Sequence, residues 1–173
     1  MNTPAAIDRI RAVILDVDGV LTDGRIGYAG DPDEIKFFDV RDGLGVKLLQ
    51  AAGLKVGLLS GRASPANRRR AEELRLDGVV EGEADKIRGL TRLLEQFALE
   101  PAECCFVGDD LIDVPVLRRV GLGVAVADAA AEVRQAAHWV TDRPGGHGAV
   151  REVAERLLKQ AGRWQEVTRR YEL

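Results

Sequence analysis

Short apolar runs alternate with amphipathic segments along almost the whole chain, and this alternation limits the fold more than any other feature. Short, mostly apolar runs of this kind are typical of strands that are buried on both faces. They lie at residues 12–15, 55–59, 79–80, 104–107 and 123–126. Alternating strands and helices predict a parallel sheet with right-handed crossovers, which is a doubly wound, Rossmann-like α/β domain.

The segments between these runs show helical spacing of apolar residues. It is clearest at residues 85–98 and 149–158, where apolar side chains recur every three or four positions. The C-terminal stretch 162–173 has the same spacing at Trp164, Val167 and Tyr171, and is expected to be an amphipathic tail.

Residues 24–40 depart from the alternation of strands and helices. Two β-like pieces flank the turn signal Gly-Asp-Pro-Asp at 30–33, and this pattern predicts a β-hairpin just after the first strand. A chain of 173 residues has room for a single domain, 1–173, with this hairpin as a flap. No segment is left over for a separate cap domain.

Charge and composition exclude several classes of function. The net charge of −3 and the pI near 5.5 argue against a general attraction to nucleic acid or to an anionic membrane. We find neither a signal-peptide layout nor a run of about 20 apolar residues that could span a membrane. A soluble, cytoplasmic protein is therefore expected. The adjacent Cys104 and Cys105 are expected to be buried thiols.

Chemically capable side chains follow the predicted strands. They are Asp16 and Asp18 after the first, Ser60 after the second, Lys86 at the start of the helix after the third, and Asp109, Asp110 and Asp113 after the fourth. Because ligands bind at the carboxyl ends of the strands in such sheets, we expect these groups to converge.

This set of groups meets the demands of phosphoryl transfer. Clustered carboxylates need a compensating cation, and oxygen ligands favour Mg²⁺. Asp16 is the expected nucleophile, which gives an aspartyl-phosphate. Asp18 is placed to protonate the leaving group and then to deprotonate water. Ser60 and Lys86 are placed to stabilise charge on the phosphoryl oxygens.

Each motif also has a simpler interpretation on its own. Asp-x-Asp-Gly suits calcium loops and turns, and Ser60-Gly61 suits an ordinary turn. Lys86 could be a solvated helix residue, and the acidic group at 109–113 could cap a helix. The coincidence of all four at strand ends, in this order, favours chemistry.

At these residues the sequence resembles the haloacid dehalogenase superfamily of phosphotransferases, whose four motifs it matches in order. Further sequence blocks extend the resemblance to the capless branch, and within it to the phosphatases of 3-deoxy-D-manno-octulosonate 8-phosphate. These blocks are VRDGLGVK, SGR, GDDLIDVPVL, VGLGVAVADA and GGHGAVREV. The resemblance implies a phosphoric monoester hydrolase that serves lipopolysaccharide precursor synthesis.

The resemblance also implies roles for individual residues. Mg²⁺ would be held by the Asp16 carboxylate, the Asp18 carbonyl and Asp109, with support from Asp110 and Asp113. Positions that line the sugar-acid pocket are matched by Asp18, Asp39, Val40, Arg41, Asp42, Gly43, Lys47, Arg62, Arg70 and Lys86. A planar guanidinium suits the substrate's carboxylate, although Arg70 could equally be a surface residue.

Two positions in that pocket depart from the family pattern. Residue 39 is Asp where relatives often have Asn, and Lys47 replaces Arg. Both departures touch the expected pocket, so they bear on which sugar is bound and leave the reaction itself unaffected.

Members of this branch are similar in forming homotetramers, in which the hairpin and the tail help to close a neighbour's site. The resemblance thus implies a homotetramer that takes a phosphorylated sugar acid and binds neither nucleic acid nor membrane. The alternatives are a phosphatase for a nine-carbon, sialic-type sugar acid 9-phosphate, and a catalytically idle oligomerisation homologue. A signalling receiver domain fits less well, because its phosphorylated Asp stands at the third strand, and a dehalogenase would not need Asp18.

Overall fold

A computed structural model describes residues 7–29 and 34–172. The predicted turn at 30–33 lies outside the described residues. The strands, in chain order, are β1 (Ala12–Leu15), β2 (Gly27–Tyr28), β3 (Glu34–Ile35), β4 (Lys55–Leu59), β5 (Gly78–Val80), β6 (Cys104–Gly108), β7 (Leu122–Ala125) and β8 (Trp139–Val140).

Six of these strands form one parallel sheet in the order β5-β4-β1-β6-β7-β8. The chain builds outward from β1 on one side with β4 and β5, then returns to the other side with β6, β7 and β8. The carboxyl ends of β1 and β6 therefore flank the point where the strand order reverses, which is where ligands bind in doubly wound sheets. The predicted fold class is confirmed, and β8 is a short edge strand that the sequence did not indicate.

The helices are α1 (Val40–Ala51), α2 (Pro65–Leu74), α3 (Lys86–Phe97), α4 (Val114–Leu117), α5 (Ala131–Ala136), α6 (Ala149–Gln160) and α7 (Trp164–Thr168). Helices α1, α6 and α7 pack on one another, while α3, α4 and α5 pack against strands β4 to β7. The segments predicted at 85–98 and 149–158 are α3 and α6. In the described part of the chain no helix has the length and apolar character needed to cross a membrane.

The core lies between the sheet and these two groups of helices. Strands β1 and β6 are buried along their whole length. Cys104 and Cys105 are free, buried thiols, as expected. Burial raises the pKa of the Cys104 thiol to about 12, so this pair is chemically inert at neutral pH.

The predicted hairpin is present as a small antiparallel pair. Gly27 pairs with Ile35 and Tyr28 with Glu34. It ends earlier than the sequence indicated, because Val40 is already the first residue of α1 and Asp39 is its N-cap, accepting from the Arg41 amide. The tail forms α7, which packs on α1 and α6 of its own chain.

Candidate active site

A buried lysine connects two of the strand-end carboxylates. Lys86 is the first residue of α3, and its Nζ lies 2.8 Å from Asp16 Oδ1 and 3.1 Å from Asp113 Oδ1. The same ammonium donates to the Leu59 carbonyl at the end of β4 at 2.9 Å. All three charged side chains are almost fully enclosed. The ends of β1, β4 and β6 thus meet at one ammonium group.

Asp113 shapes the loop that follows β6. Its Oδ2 accepts from the backbone amides of Asp109 at 3.0 Å and Asp110 at 3.4 Å. A Cβ at Gly108 would lie only 2.6 Å from this oxygen, so the close approach requires glycine there. Asp110 is exposed and caps the following turn by accepting from the Leu111 amide at 2.7 Å. Asp109 is thereby directed toward Asp16.

The carboxylates of Asp16, Asp109 and Asp113 have oxygens that all lie within 4.8 Å of one another. Burial, together with the charge of Asp113, raises the pKa of Asp16 to about 7. Burial and the charges of Asp16 and Asp113 raise the pKa of Asp109 to about 8. Burial alone would lower the pKa of Lys86, but Asp16 and Asp113 outweigh it and raise that pKa. The cluster holds more negative charge than one ammonium can balance.

A divalent cation fits this cluster. Asp109 Oδ1 is buried and has no hydrogen-bond partner among residues 7–29 and 34–172. Asp113 Oδ1 likewise has no hydrogen-bond partner in the described residues, but it lies 3.1 Å from the Lys86 ammonium. Asp113 Oδ2 accepts from two amides. Asp16 and Asp109 therefore offer the oxygens for a hard ion such as Mg²⁺, with Asp113 in a supporting position.

The turn after β1 is held by backbone contacts with a second glycine-rich loop. Gly19 has φ +89°, and Thr22 Oγ1 accepts from the amides of Gly19 and Gly24 at 3.4 and 3.3 Å. A Cβ at Gly145 would overlap the Gly19 carbonyl. The loop that contains Gly145 therefore positions the Asp16–Asp18 turn through direct backbone packing.

Asp18 lies at the outer side of this turn and contacts the hairpin region. Its Oδ1 accepts from Lys36 Nζ at 2.6 Å, and its Oδ2 lies 3.8 Å from Arg62 Nε. Arg62 also donates to Glu34 at 3.0 Å. Lys36 was not identified from the sequence, although an isolated lysine in the apolar stretch 35–38 was an available signal.

Ser60 follows β4, beside the end of β1. Leu15 pairs with Leu58 in the sheet, so Asp16 and Ser60 end neighbouring strands about 5 Å apart. Ser60 is buried, and its Oγ accepts from the Arg62 amide at 3.2 Å. The sheet thus places Ser60 at the strand end beside that of Asp16, while Asp16, Lys86 and Asp109 lie in one cluster.

Part of the expected sugar pocket lies next to Asp18. Arg70 is buried against the hairpin end, where it donates to the Asp39 carbonyl at 3.2 Å and stacks on Phe38 at 5.4 Å. A cavity of about 550 Å³ between the hairpin and α2 is lined by Glu34, Ile35, Lys36, Phe37, Phe38, Pro65, Ala66, Arg69, Arg70 and Glu73. A Cβ at Gly43 would lie 2.7 Å from Arg70 Nη2, so glycine leaves room for the guanidinium.

Two residues expected in the pocket face elsewhere. Asp42 is 1% exposed, and its carboxylate accepts from the amides of Gly148 at 3.3 Å and Arg151 at 2.8 Å, which caps α6. Lys47 donates to the Leu74 carbonyl at 2.5 Å and to Gln50 at 3.1 Å, which ties α1 to the end of α2. In this arrangement both residues hold helices together.

The remaining pocket residues are at the start of α1. Arg41 forms a bidentate pair with the Asp39 carboxylate, donating from Nη2 to Oδ2 at 2.7 Å and from Nε to Oδ1 at 3.2 Å, and this hydrogen bonding lowers the pKa of Asp39. Val40 is exposed. A larger cavity of about 640 Å³ runs along α6 from Arg41 to Gln160, and its described lining includes none of the strand-end cluster.

Comparison with known proteins agrees with this geometry. A family model for haloacid dehalogenase-like hydrolases matches residues 70–153. The 3-deoxy-D-manno-octulosonate 8-phosphate phosphatase KdsC of Escherichia coli (strain K12) is 41% identical over 162 residues, which cover 94% of this chain and 86% of that protein. The chain belongs to the haloacid dehalogenase family.

Solved structures of this family are similar over almost their full length. A probable YrbI family phosphatase from Pseudomonas syringae pv. phaseolica has a TM-score of 0.93 at 42% identity, covering 97% of this chain and 96% of that one. The 3-deoxy-D-manno-octulosonate 8-phosphate phosphatase of Moraxella catarrhalis, solved with a magnesium ion, a phosphate ion and a KDO molecule, has a TM-score of 0.92 at 34% identity, covering 96% and 95%. The resemblance found in the sequence is confirmed.

Proposed function

We propose that this chain is a magnesium-dependent phosphomonoesterase that hydrolyses 3-deoxy-D-manno-octulosonate 8-phosphate to the free sugar acid and phosphate. The observation that carries the proposal is the enclosed cluster in which Lys86 lies between Asp16 and Asp113, with Asp109 beside them. The substrate is taken from relatives that match nearly the whole chain. In this proposal residues 1–173 form one phosphatase domain.

Asp16, the Asp18 carbonyl and Asp109 would hold the Mg²⁺, with Asp110 and Asp113 in support. When bound, the ion supplies positive charge that lets a carboxylate approach an anionic phosphate. The buried, unpartnered Asp109 Oδ1 and the raised pKa values of Asp16 and Asp109 support these two residues as ligands, since burial and neighbouring carboxylates leave them without enough compensating positive charge.

Catalysis then follows from the positions of the side chains. Asp16 attacks phosphorus as the bond to the sugar oxygen breaks, and Asp18 gives that oxygen a proton. Asp18 next takes a proton from the water that attacks the aspartyl-phosphate, which releases phosphate and restores Asp16. Ser60 donates to a phosphoryl oxygen, and Lys86 balances charge on the nucleophile and the phosphate.

The sugar acid would bind between the hairpin and α2. Arg62 and Arg70 are the cations best placed for it, because Arg62 lies near Asp18 and Arg70 lines the 550 Å³ cavity. Arg70 Nε is buried without a hydrogen-bond partner in the described chain, which leaves a donor for a ligand. Asp42 and Lys47 are not assigned to this pocket, since they hold helices.

A screen of phosphate release tests the proposal. The wild-type protein is incubated with phosphorylated sugar acids of eight and nine carbons, with Mg²⁺ and with EDTA. We expect Mg²⁺-dependent release that is fastest for the eight-carbon 8-phosphate. A preference for the nine-carbon 9-phosphate would identify that compound as the substrate instead, and the Asp at position 39 raises this possibility. A protein that releases no phosphate from any of these compounds would be the non-catalytic homologue.

Subunit assembly is part of the same proposal. The hairpin exposes Tyr28 and Phe37 at 78% and 75%, together with Ile35, which is more apolar surface than a free flap usually presents. We propose that the protein forms a homotetramer with this hairpin at the interface. As the resemblance implies, we also propose that it acts in the cytoplasm, in lipopolysaccharide precursor synthesis. Light scattering that finds an active monomer at assay concentration would contradict the assembly.

A further inference from the structure

Lys36 is the residue directly after β3, and its side chain is enclosed completely. The side chain is 0% exposed, whereas the next residue, Phe37, is 75% exposed, among the highest values for an apolar residue in the described part of the chain. A lysine is rarely buried unless acceptors surround its ammonium, because the charge loses its hydration. The backbone here therefore buries the Lys36 ammonium and exposes the Phe37 ring, although the apolar ring would be easier to bury.

The ammonium lies where three parts of the fold meet. Its Nζ is 2.6 Å from Asp18 Oδ1 and 3.0 Å from Asn67 Oδ1. Asn67 is buried in α2 and donates its Nδ2 to the Arg62 carbonyl at 3.2 Å. Lys36 thus joins the hairpin to α2 and to the turn that carries Asp16 and Asp18.

This contact leaves the two oxygens of Asp18 in different situations. Lys36 fixes Oδ1, whereas Oδ2 is 3.8 Å from Arg62 Nε, beyond the range of a hydrogen bond. Arg62 is itself half exposed and bonded to Glu34. Only Oδ2 is then free to exchange a proton, and its direction is set by the bond that Lys36 makes to Oδ1.

We propose that Lys36 is a positioning residue for the general acid/base Asp18, and that it makes proton transfer depend on how the hairpin docks. This inference rests on the proposed phosphatase activity and adds to it a residue of the flap that none of the four strand-end motifs contains. Lys36 acts through Asp18 and has no assigned contact with the phosphate.

A lysine that only anchored the hairpin would behave differently. Its loss would lower stability or affect every substrate equally. Loss of a residue that orients the acid should instead depend on the leaving group, because an alkoxide needs protonation and an activated phenolate hardly does. The leaving group therefore separates the two roles.

The test compares Lys36→Met with the wild type on a sugar acid phosphate and on p-nitrophenyl phosphate, with Mg²⁺. We expect kcat on the sugar phosphate to fall about 10- to 100-fold, which is less than the 10²–10⁴ of acid–base catalysis as a whole, because the acid itself remains and only its orientation is lost. On the aryl phosphate we expect a change below about threefold, since protonation contributes little there. Adding Lys36→Met to Asp18→Asn should cause no further loss, because both changes remove one function.

Two further variants complete the design. Lys55→Met removes a lysine at the amino end of β4, away from the strand ends that form the site, where it donates to the Phe97 carbonyl at 3.2 Å. This variant should leave both activities unchanged. Lys36→Arg keeps the charge and should recover part of the kcat on the sugar phosphate. If Lys36→Met does not fold, Asn67→Ala removes one acceptor of the ammonium and should give a smaller loss with the same leaving-group dependence.

The outcomes separate this inference from the proposed function. Equal losses on both substrates, additive losses with Asp18→Asn, or failure of both Lys36→Met and Asn67→Ala to fold would overturn the positioning role. A wild-type protein that releases no phosphate would instead overturn the phosphatase activity itself.

Discussion

The phosphate side and the sugar side of the proposed cleft differ in how far the fold encloses their side chains. On the phosphate side, Asp16, Lys86 and Asp113 are buried and bonded to one another at the ends of three strands. On the sugar side, Arg62 is 51% exposed and Arg41 is 58% exposed, and each pairs with a nearby carboxylate.

This difference separates what the sheet fixes from what a ligand can rearrange. Hydrogen bonds between strands set the strand ends, so the phosphate side is built before substrate arrives. Exposed ion pairs contribute only about 0–1 kcal/mol each, so a substrate carboxylate can displace Glu34 from Arg62 or Asp39 from Arg41. Changes on the phosphate side should therefore lower turnover, and changes on the sugar side should mainly raise KM.

The strongest test of the phosphate side is Asp16→Asn. A carboxamide cannot attack phosphorus and binds Mg²⁺ poorly, so we expect turnover to fall by at least about 10³. Circular dichroism of the variant should match that of the wild type, since Asn is isosteric with Asp. Substantial residual activity in a preparation free of wild-type enzyme would contradict the covalent mechanism.

Asp18→Asn tests the boundary between the two sides. The variant keeps its backbone carbonyl but cannot transfer protons, so we expect a loss of about 10²–10⁴ in kcat on sugar phosphates. The loss should shrink on an aryl phosphate, measured under the same conditions. If both substrates lose equally, Asp18 has a structural role instead.

Arg62→Ala tests the sugar side. Loss of a hydrogen bond to a charged group is worth about 1.5–3 kcal/mol, so KM for the sugar acid phosphate should rise at least about tenfold. Arg62→Lys keeps the positive charge but lacks the planar guanidinium, so its KM should lie between those of the wild type and Arg62→Ala. Arg68→Ala is the matched control on the exposed face of α2. A drop in kcat at constant KM would place Arg62 on the phosphate side.

The phosphate side could be predicted from the sequence because its signals are local. The predicted strands 12–15 and 55–59 have the observed bounds. Asp16, Ser60 and Asp109 each directly follow a strand, and Lys86 begins the helix after β5. The parallel register then brings these ends together without further information. The order of the strands was therefore enough to predict that Asp16, Lys86 and Asp109 lie close together.

The sugar side depends on contacts between distant parts of the chain. Helix α1 contains Gly43 and Gly45, which lower helix propensity, and it was not assigned from the sequence. A Cβ at Gly45 would lie 2.9 Å from Arg151 Cα. Close packing of α1 against α6 therefore explains why a helix contains a glycine that its local sequence pattern disfavours. Lys36 contacts Asn67 31 residues away, and no periodicity of the sequence encodes that pairing.

Asp42 departs furthest from this comparison, because it belongs to a sugar-side motif yet is as enclosed as a phosphate-side residue. Burial raises the pKa of Asp42 from 3.8 to about 6, although the Arg151 and Gly148 amides partly offset this. Between these two values the folded state binds more protons than the unfolded state. The free energy of unfolding should therefore fall as the pH rises through this window.

Asp42→Asn isolates that effect, since an amide does not titrate. We expect the free energy of unfolding of the wild type, relative to the variant, to decrease by roughly 2 kcal/mol between pH 4 and 7. Urea denaturation of both proteins at constant ionic strength measures it, and Asp142→Asn gives the slope for an exposed aspartate near the same helix. A difference that stays constant with pH, or that grows as the pH rises, would mean that the α6 amides stabilise the Asp42 carboxylate more than burial opposes it.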